Sequence, residues 1–211
     1  MFLIVMISFS LSAKEFLIDK QTDIVGEISY TYAHNGETLI DVGQRLDIGA
    51  PQIKEANPLL DEKLPLHLGT KITIPSQFIL PNVERKGFVV NLAEQRLYFF
   101  PEDSKTVITE PVGIGRRGKW KTPLGLTKIT KKVLDPLWHP TADVRLEAAK
   151  NGEPIPWEFP AGLNNPLGRH IFRLGWASYL IHSTDQPETV GGLVSAGCIR
   201  MLPKGIEYIF D

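Results

Sequence analysis

The chain has 211 residues, 43% of them hydrophobic and 22% charged, which excludes intrinsic disorder and allows a substantial core in one or two domains. With 23 Lys and Arg against 24 Asp and Glu the formal net charge is -1, so no global field favours nucleic acid or an anionic membrane surface. The single cysteine, Cys198, can form no disulfide within the chain and can build no cysteine-rich zinc or iron-sulfur site.

Residues 1–13, MFLIVMISFSLSA, form an uncharged apolar run too short to cross a bilayer as a helix, ending in small residues before Lys14 and Glu15. This pattern predicts a secretory signal peptide, although no Lys or Arg precedes the apolar run; a buried N-terminal strand is the alternative. Export would place Cys198 unpaired in an oxidising compartment, where a free thiol is a liability unless it has a task.

A small unit is expected over 27–75. Residues 28–33 read as a strand and His34, Asn35, Gly36 and Glu37 as a turn. Thr38 is placed to cap a helix that puts Leu39, Val42 and Leu46 on one face. A second helix can start at Ala50-Pro51 and must stop at Asn57-Pro58, and 71–75 closes the unit as a strand. The order is strand, helix, helix, strand. Tyr32 to Pro75 resembles a LysM domain in Gly36-Glu37-Thr38-Leu39, Ile53, Asn57-Pro58, Gly69 and Ile72-Thr73-Ile74-Pro75. The resemblance implies binding of N-acetylglucosamine-containing glycans around Gly36, Thr38, Asn57 and Pro58, although for the individual positions the favoured reading is that they punctuate a small fold.

Residues 76–86 carry a proline and no helical period, and read as a linker. Beyond it the sequence turns β-rich: 87–92 and 96–100 form a predicted hairpin, followed by strands at 107–114, 126–133, 171–174 and 178–181. One short helix is expected at 142–150, capped by Thr141, with Gly152 just past its end. Charge divides unequally: 27–80 has 4 basic and 7 acidic residues, and 81–211 has 17 and 14. Arg116, Arg117, Lys119, Lys121, Lys128, Lys131 and Lys132 concentrate the excess, which could steer an acidic substrate or simply be a solvated face. Gly113 to Gly118 fits G-x-G-x-x-G, but a turn and a strand follow where dinucleotide binding needs a helix N-terminus, so the match is rejected.

Ser195-Ala196-Gly197-Cys198-Ile199-Arg200 carries the chemistry. A nucleophilic thiol needs a base and backbone N–H groups for an oxyanion, and the N–H groups of Gly197 and Cys198 are placed to act together. Of five histidines, His182 is favoured as the base because it ends an apolar strand and a Gly191-Gly192 turn can fold the cysteine segment back beside it.

From Gly87 onward the chain resembles the YkuD-type catalytic domain of the L,D-transpeptidases. The matching pieces are Asn91-Leu92, Gln95 to Tyr98, Gly113-Ile114-Gly115, Thr122 to Gly125, Asn165 to Gly168, Ile181 to Thr184, and Ser195 with Gly197 to Arg200. The implied fold is a mainly β catalytic domain, a β-sandwich with a short helix, preceded by the small α+β LysM module. The resemblance implies Cys198 as nucleophile, His182 as base and the Ser183 carbonyl as its orienting partner. It further implies support from Ser195, Gly197 and Arg200, with His170 either near the pocket or structural; Ala196 stands where many members have His. It implies no metal or organic cofactor, and an exported enzyme of the periplasm or cell envelope.

The chemistry so implied is a thioester with a peptidoglycan tetrapeptide stem, loss of D-alanine, and transfer to an amine. That amine would belong to a neighbouring stem, giving a 3-3 cross-link, or to a lipoprotein lysine. Alternatives are a cysteine hydrolase of the same bonds, a non-catalytic glycan-binding protein, and, more distantly, a zinc amidase using His139, His170 and His182. Family members follow the amphipathic helix at 206–211 with a further strand, so a C-terminally shortened sheet with an exposed edge is also expected.

Overall fold

The structure is a computed structural model that describes residues 14–102, 105–162 and 164–210; the expected signal segment lies outside them. In chain order the elements are β1 (Lys14–Leu17), β2 (Ile24–Gly26), β3 (Ser29–Tyr32), α1 (Leu39–Leu46), α2 (Ala50–Ala56), β4 (Lys71–Ile74) and β5 (Gln77–Ile79). The larger half follows with β6 (Gly87–Asn91), β7 (Arg96–Phe100), β8 (Thr106–Gly115), β9 (Ile129–Leu134), α3 (Ala142–Lys150), β10 (His170–Leu174), β11 (Leu180–His182), β12 (Leu193–Ser195), β13 (Ile199–Met201) and α4 (Pro203–Phe210).

The N-terminal unit pairs β3 with β4 antiparallel, Ser29 opposite Ile74 and Tyr32 opposite Lys71. The Thr38 hydroxyl accepts the Asp41 N–H while the Asp41 carboxylate accepts the Thr38 N–H, a reciprocal cap that satisfies two otherwise orphaned donors at the start of α1. Leu39, Val42, Ile48, Ile53, Ile72 and Ile74 then meet in a core of their own. Each such side chain contributes about 1.5–3 kcal/mol on burial. The stretch expected as a linker is partly ordered, because β5 pairs with β2 and sets Phe78 opposite Val25. Its partner lies some fifty positions upstream, so local periodicity could not reveal the pairing.

Among the described residues the larger half is one nine-stranded sheet in the order β6-β7-β8-β13-β11-β10-β9, with β1 and β12 also on β8. The expected two-layer sandwich is therefore a continuous, curled sheet. Its long strand β8 carries β7 along one edge and meets β1, β13 and β12 in succession along its length. Strand β1 comes from well before residue 87, so the sheet draws on chain outside the expected catalytic span. Leu97, Val112, Ile114, Phe172, Ile181, Ile199 and Met201 fill the inside of the curl, closed by Ile206 and Ile209 of α4.

Two strand starts differ from expectation. The strand expected from 126 begins at Ile129, because Gly125 (φ +121°) breaks the ladder and leaves Leu124 and Leu126 exposed. The strand expected from 178 begins at Leu180, because Ser178 (φ +67°) is left-handed and cannot continue a ladder.

Candidate active site

Strands β11 and β13 run parallel with Ile181 beside Ile199 and His182 beside Arg200. Because strand side chains alternate, the two isoleucines enter the core and His182 and Arg200 face the other way, together with Cys198 two positions before Arg200. These three residues line one cavity of about 400 Å³. Its other walls come from Trp120, Trp138, Tyr179, Leu167 and Lys119, and from the start of α3 at Asp143 and Val144.

His182 is buried and its Nδ1 lies 2.5 Å from the Ser183 carbonyl oxygen. A carbonyl can only accept, so Nδ1 carries the proton and the neutral ring keeps its lone pair on Nε2. Burial, aided by the Arg200 charge and opposed by the Ser183 carbonyl, lowers the His182 pKa to about 3. Burial also pushes the Cys198 thiol up, against the smaller opposing effects of the Leu180 N–H and Arg200. Burial thus favours the neutral thiol and the neutral imidazole over an ion pair of the two. The thiol hydrogen bonds to the carbonyl of Ser178, 3.7 Å away, which the left-handed turn aims at it.

The nucleophile loop is braced from within. The Ser195 hydroxyl donates to the Cys198 carbonyl at 2.5 Å and accepts the Gly197 N–H at 3.1 Å. Thr122 bridges from outside, accepting the Gly115 N–H and donating to the Gly197 carbonyl, both at 2.9 Å. Gly197 sits at φ +111°, where a Cβ would stand 2.7 Å from the Tyr179 ring. A Cβ on Gly115 would stand 2.1 Å from the Trp120 carbonyl oxygen and 2.9 Å from the Gly197 Cα. Both positions thus need glycine for close backbone approach.

A second brace reaches α3, a helix with no buried residue of its own. Glu147 accepts from Arg116 at 2.6 Å and from the Trp120 indole at 3.1 Å, which holds its carboxyl below the usual range. The Arg116 backbone N–H in turn reaches the Ser195 carbonyl at 3.0 Å.

The structure brings together Cys198, His182, Ser183, Ser195, Gly197 and Arg200. Arg200 donates to Thr189 Oγ1 at 3.2 Å and lines the cavity, while its Nε is buried and finds no hydrogen-bond partner among the described residues. Three expectations need correction. The Gly197 N–H is engaged by Ser195, so it does not stand beside that of Cys198 as an oxyanion donor in this state. His170 turns away from the cavity, its ring 4.8 Å from that of Phe210, because β10 places it against α4. His139, His170 and His182 do not converge: His139 lies against Glu158, and no group of three or more potential ligands gathers among the described residues.

In the N-terminal unit the expected sugar contacts are committed elsewhere. The Asn57 side chain binds the Ile53 carbonyl and both the carbonyl and N–H of Thr73, tying α2 to β4. The Thr38 hydroxyl is held in the α1 cap, and the Pro58 carbonyl accepts from Lys54. Gly36 is exposed, with open space where a Cβ would lie. The rejected glycine motif leads into a three-residue 3₁₀ turn at Gly118–Trp120. Sequence reasoning missed the bridging role of Thr122, although its Thr-Pro-Leu-Gly segment stood out. It also missed Ser178 and the Arg116-Glu147-Trp120 brace, which carry no local signal.

Comparison with known proteins gives a consistent result. Residues 85–211 match the model of the YkuD family, described as the L,D-transpeptidase catalytic domain. The chain is 42% identical over 178 residues to the probable L,D-transpeptidase ErfK/SrfK of Escherichia coli strain K12, covering 84% of this chain and 57% of that protein. It is 37% identical over 213 residues to the probable L,D-transpeptidase ErfK/SrfK of Salmonella typhimurium, covering 100% of this chain and 68% of that protein. The chain thus spans little more than half the length of the first of these relatives.

Proposed function

Because the chain belongs to the YkuD family of L,D-transpeptidase catalytic domains, we propose that it is a cysteine acyltransferase acting on peptidoglycan, with Cys198 as nucleophile and His182 as base. The observation that carries this reading is the placement of His182 at the end of β11 and of Cys198 just before β13, both opening on a single cavity, with the ring fixed by Ser183. As substrate seats, Nε2 of His182 takes the thiol proton and the sulfur attacks the carbonyl at the L-centre of the third stem residue. The Cys198 N–H receives the developing oxyanion, and the Gly197 N–H can join it only by releasing Ser195. Collapse breaks the amide bond, and the His182 proton leaves with the amine of D-alanine. An amine then attacks the thioester, passes its proton to His182 and restores the thiol. Arg200, a cation lining the cavity beside Cys198 and His182, suits a carboxylate of the stem.

Residues 27–75 serve in this proposal as a LysM-type glycan-binding module, supported by the βααβ order, the separate core and the sequence motifs. With Thr38 and Asn57 committed internally, sugar contacts fall to backbone groups and exposed side chains of the same loops. Function at the envelope requires export, for which residues 1–13 supply the signal. The test is product analysis with purified muropeptides. Cross-linked stems or an amine adduct with release of D-alanine are expected; free tripeptide stems alone would reassign the enzyme as a hydrolase.

A further inference from the structure

The N-terminal unit does not hang from the sheet; it is seated on the segment that supports Arg200. Gly49, just before α2, approaches Gly191 so closely that a Cβ on Gly49 would lie 2.9 Å from the Gly191 Cα, and one on Gly191 would lie 2.7 Å from the Gly49 Cα. Alongside, Ile40, Gln44 and Ile48 face Pro187, Glu188 and Val190 across a cleft with room for about 10 Å³, too little to admit more than a water. A second contact lies at Arg96, which is buried and reaches across from β7. Its guanidinium donates to the Asp47 carbonyl at the end of α1 at 3.3 Å and to Thr109 at 2.9 Å, and stacks over the Phe78 ring at 4.0 Å. A buried arginine donating to a helix-end carbonyl marks a built interface, since such a group is stable only when its partners are fixed.

The segment pressed by this unit, Pro187 to Gly191, carries Thr189, whose hydroxyl holds Arg200. Arg200 shares its strand face with Cys198 and His182. From this juxtaposition we infer that the docked N-terminal unit is a positioning element of the catalytic site, acting through Thr189 on Arg200. Gly49 and Gly191 are its contact residues, and no glycan needs to be present for it to act. The chemistry that Arg200 serves is that of the proposed function, but the coupling itself can be read without turnover.

The test uses the full chain with Gly49→Val and, as an independent disruption, Ile40→Asp. Gly49 has an ordinary extended conformation (φ −61°, ψ 135°), so valine meets the interface without straining the backbone. Two readouts are taken: kcat and KM on a glycan-free tetrapeptide, and the rate of Cys198 alkylation by iodoacetamide at pH 8. Either variant is expected to lower kcat about tenfold and to slow alkylation several-fold, because a displaced Arg200 no longer favours the thiolate. Thr189→Val should do the same and Thr189→Ser should restore it. Adding Gly49→Val to Thr189→Val should cause no further loss. Alkylation and kcat unchanged by both interface variants, or effects that simply multiply in the double variant, would overturn the inference. A wild-type chain that turns over no tetrapeptide but keeps these alkylation effects would refute the proposed function and leave the coupling standing.

Discussion

Acidification should expose the burial of His182 as a loss of stability. An unfolded-chain histidine titrates near 6.5, whereas burial and Arg200 hold the folded one at about 3. Between those values the unfolded chain binds a proton that the folded chain refuses. Stability therefore rises with pH through this window, is fully present above about 6.5, and falls on acidification by up to about 1.4 kcal/mol per pH unit. From pH 7 to pH 5 the sum is about 2 kcal/mol, a large fraction of the stability of an ordinary domain. Urea denaturation of the wild type and of His182→Gln at both pH values isolates this contribution, because every other titrating group is common to the two proteins and cancels. The wild type should lose about 2 kcal/mol more than the variant between pH 7 and pH 5. Equal losses would refute the idea that His182 is buried and neutral in the resting enzyme.

The same protonation state sets the thiol's reactivity: alkylation of Cys198 should rise as one ionisation with a midpoint above the ordinary thiol value, and a rate already at plateau near pH 6 would indicate a preformed thiolate. Thr122→Val removes both hydrogen bonds between Gly115 and Gly197; it should cost about 1–3 kcal/mol in a denaturant melt and lower turnover, and a fully active variant would show that the bridge does not hold the nucleophile loop. Asn57→Ala severs two bonds to Thr73 of β4 and one to Ile53 of α2 and should destabilise the N-terminal unit by about 2–3 kcal/mol, measured by hydrogen exchange of β3 and β4; unchanged protection there would contradict its bracing role.

The parts of this molecule that were legible in its sequence are those encoded by neighbours in the chain. The α1 cap at Thr38 and the α3 cap at Thr141 are spelled out within four residues, and α3 spans 142–150 as expected. The β6–β7 hairpin is likewise local, since its two strands are joined by a short turn. The pairing of β5 with β2 and the recruitment of β1 onto β8 were hidden, because each depends on a partner fifty or more positions away. In the site, Cys198 and His182 stood out by residue type, strand context and ordered motifs. The hydrogen bond that occupies the Gly197 N–H was hidden, because only the folded loop shows the Ser195 hydroxyl reaching it. For Asn57 the motif left both ligand contact and a structural role open, and the groups around it, the Ile53 carbonyl and the Thr73 backbone, make it a tie between α2 and β4.

The central claim is that Cys198 carries the acyl group, and intact-protein mass spectrometry tests it most directly. After brief incubation with a disaccharide-tetrapeptide and no amine acceptor, the protein should gain the mass of the acyl donor less D-alanine. The added mass should map to Cys198, be absent in Cys198→Ser, and disappear when an amine is supplied. A protein that releases D-alanine without ever bearing that adduct, or that still bears it in Cys198→Ser, would contradict the assignment.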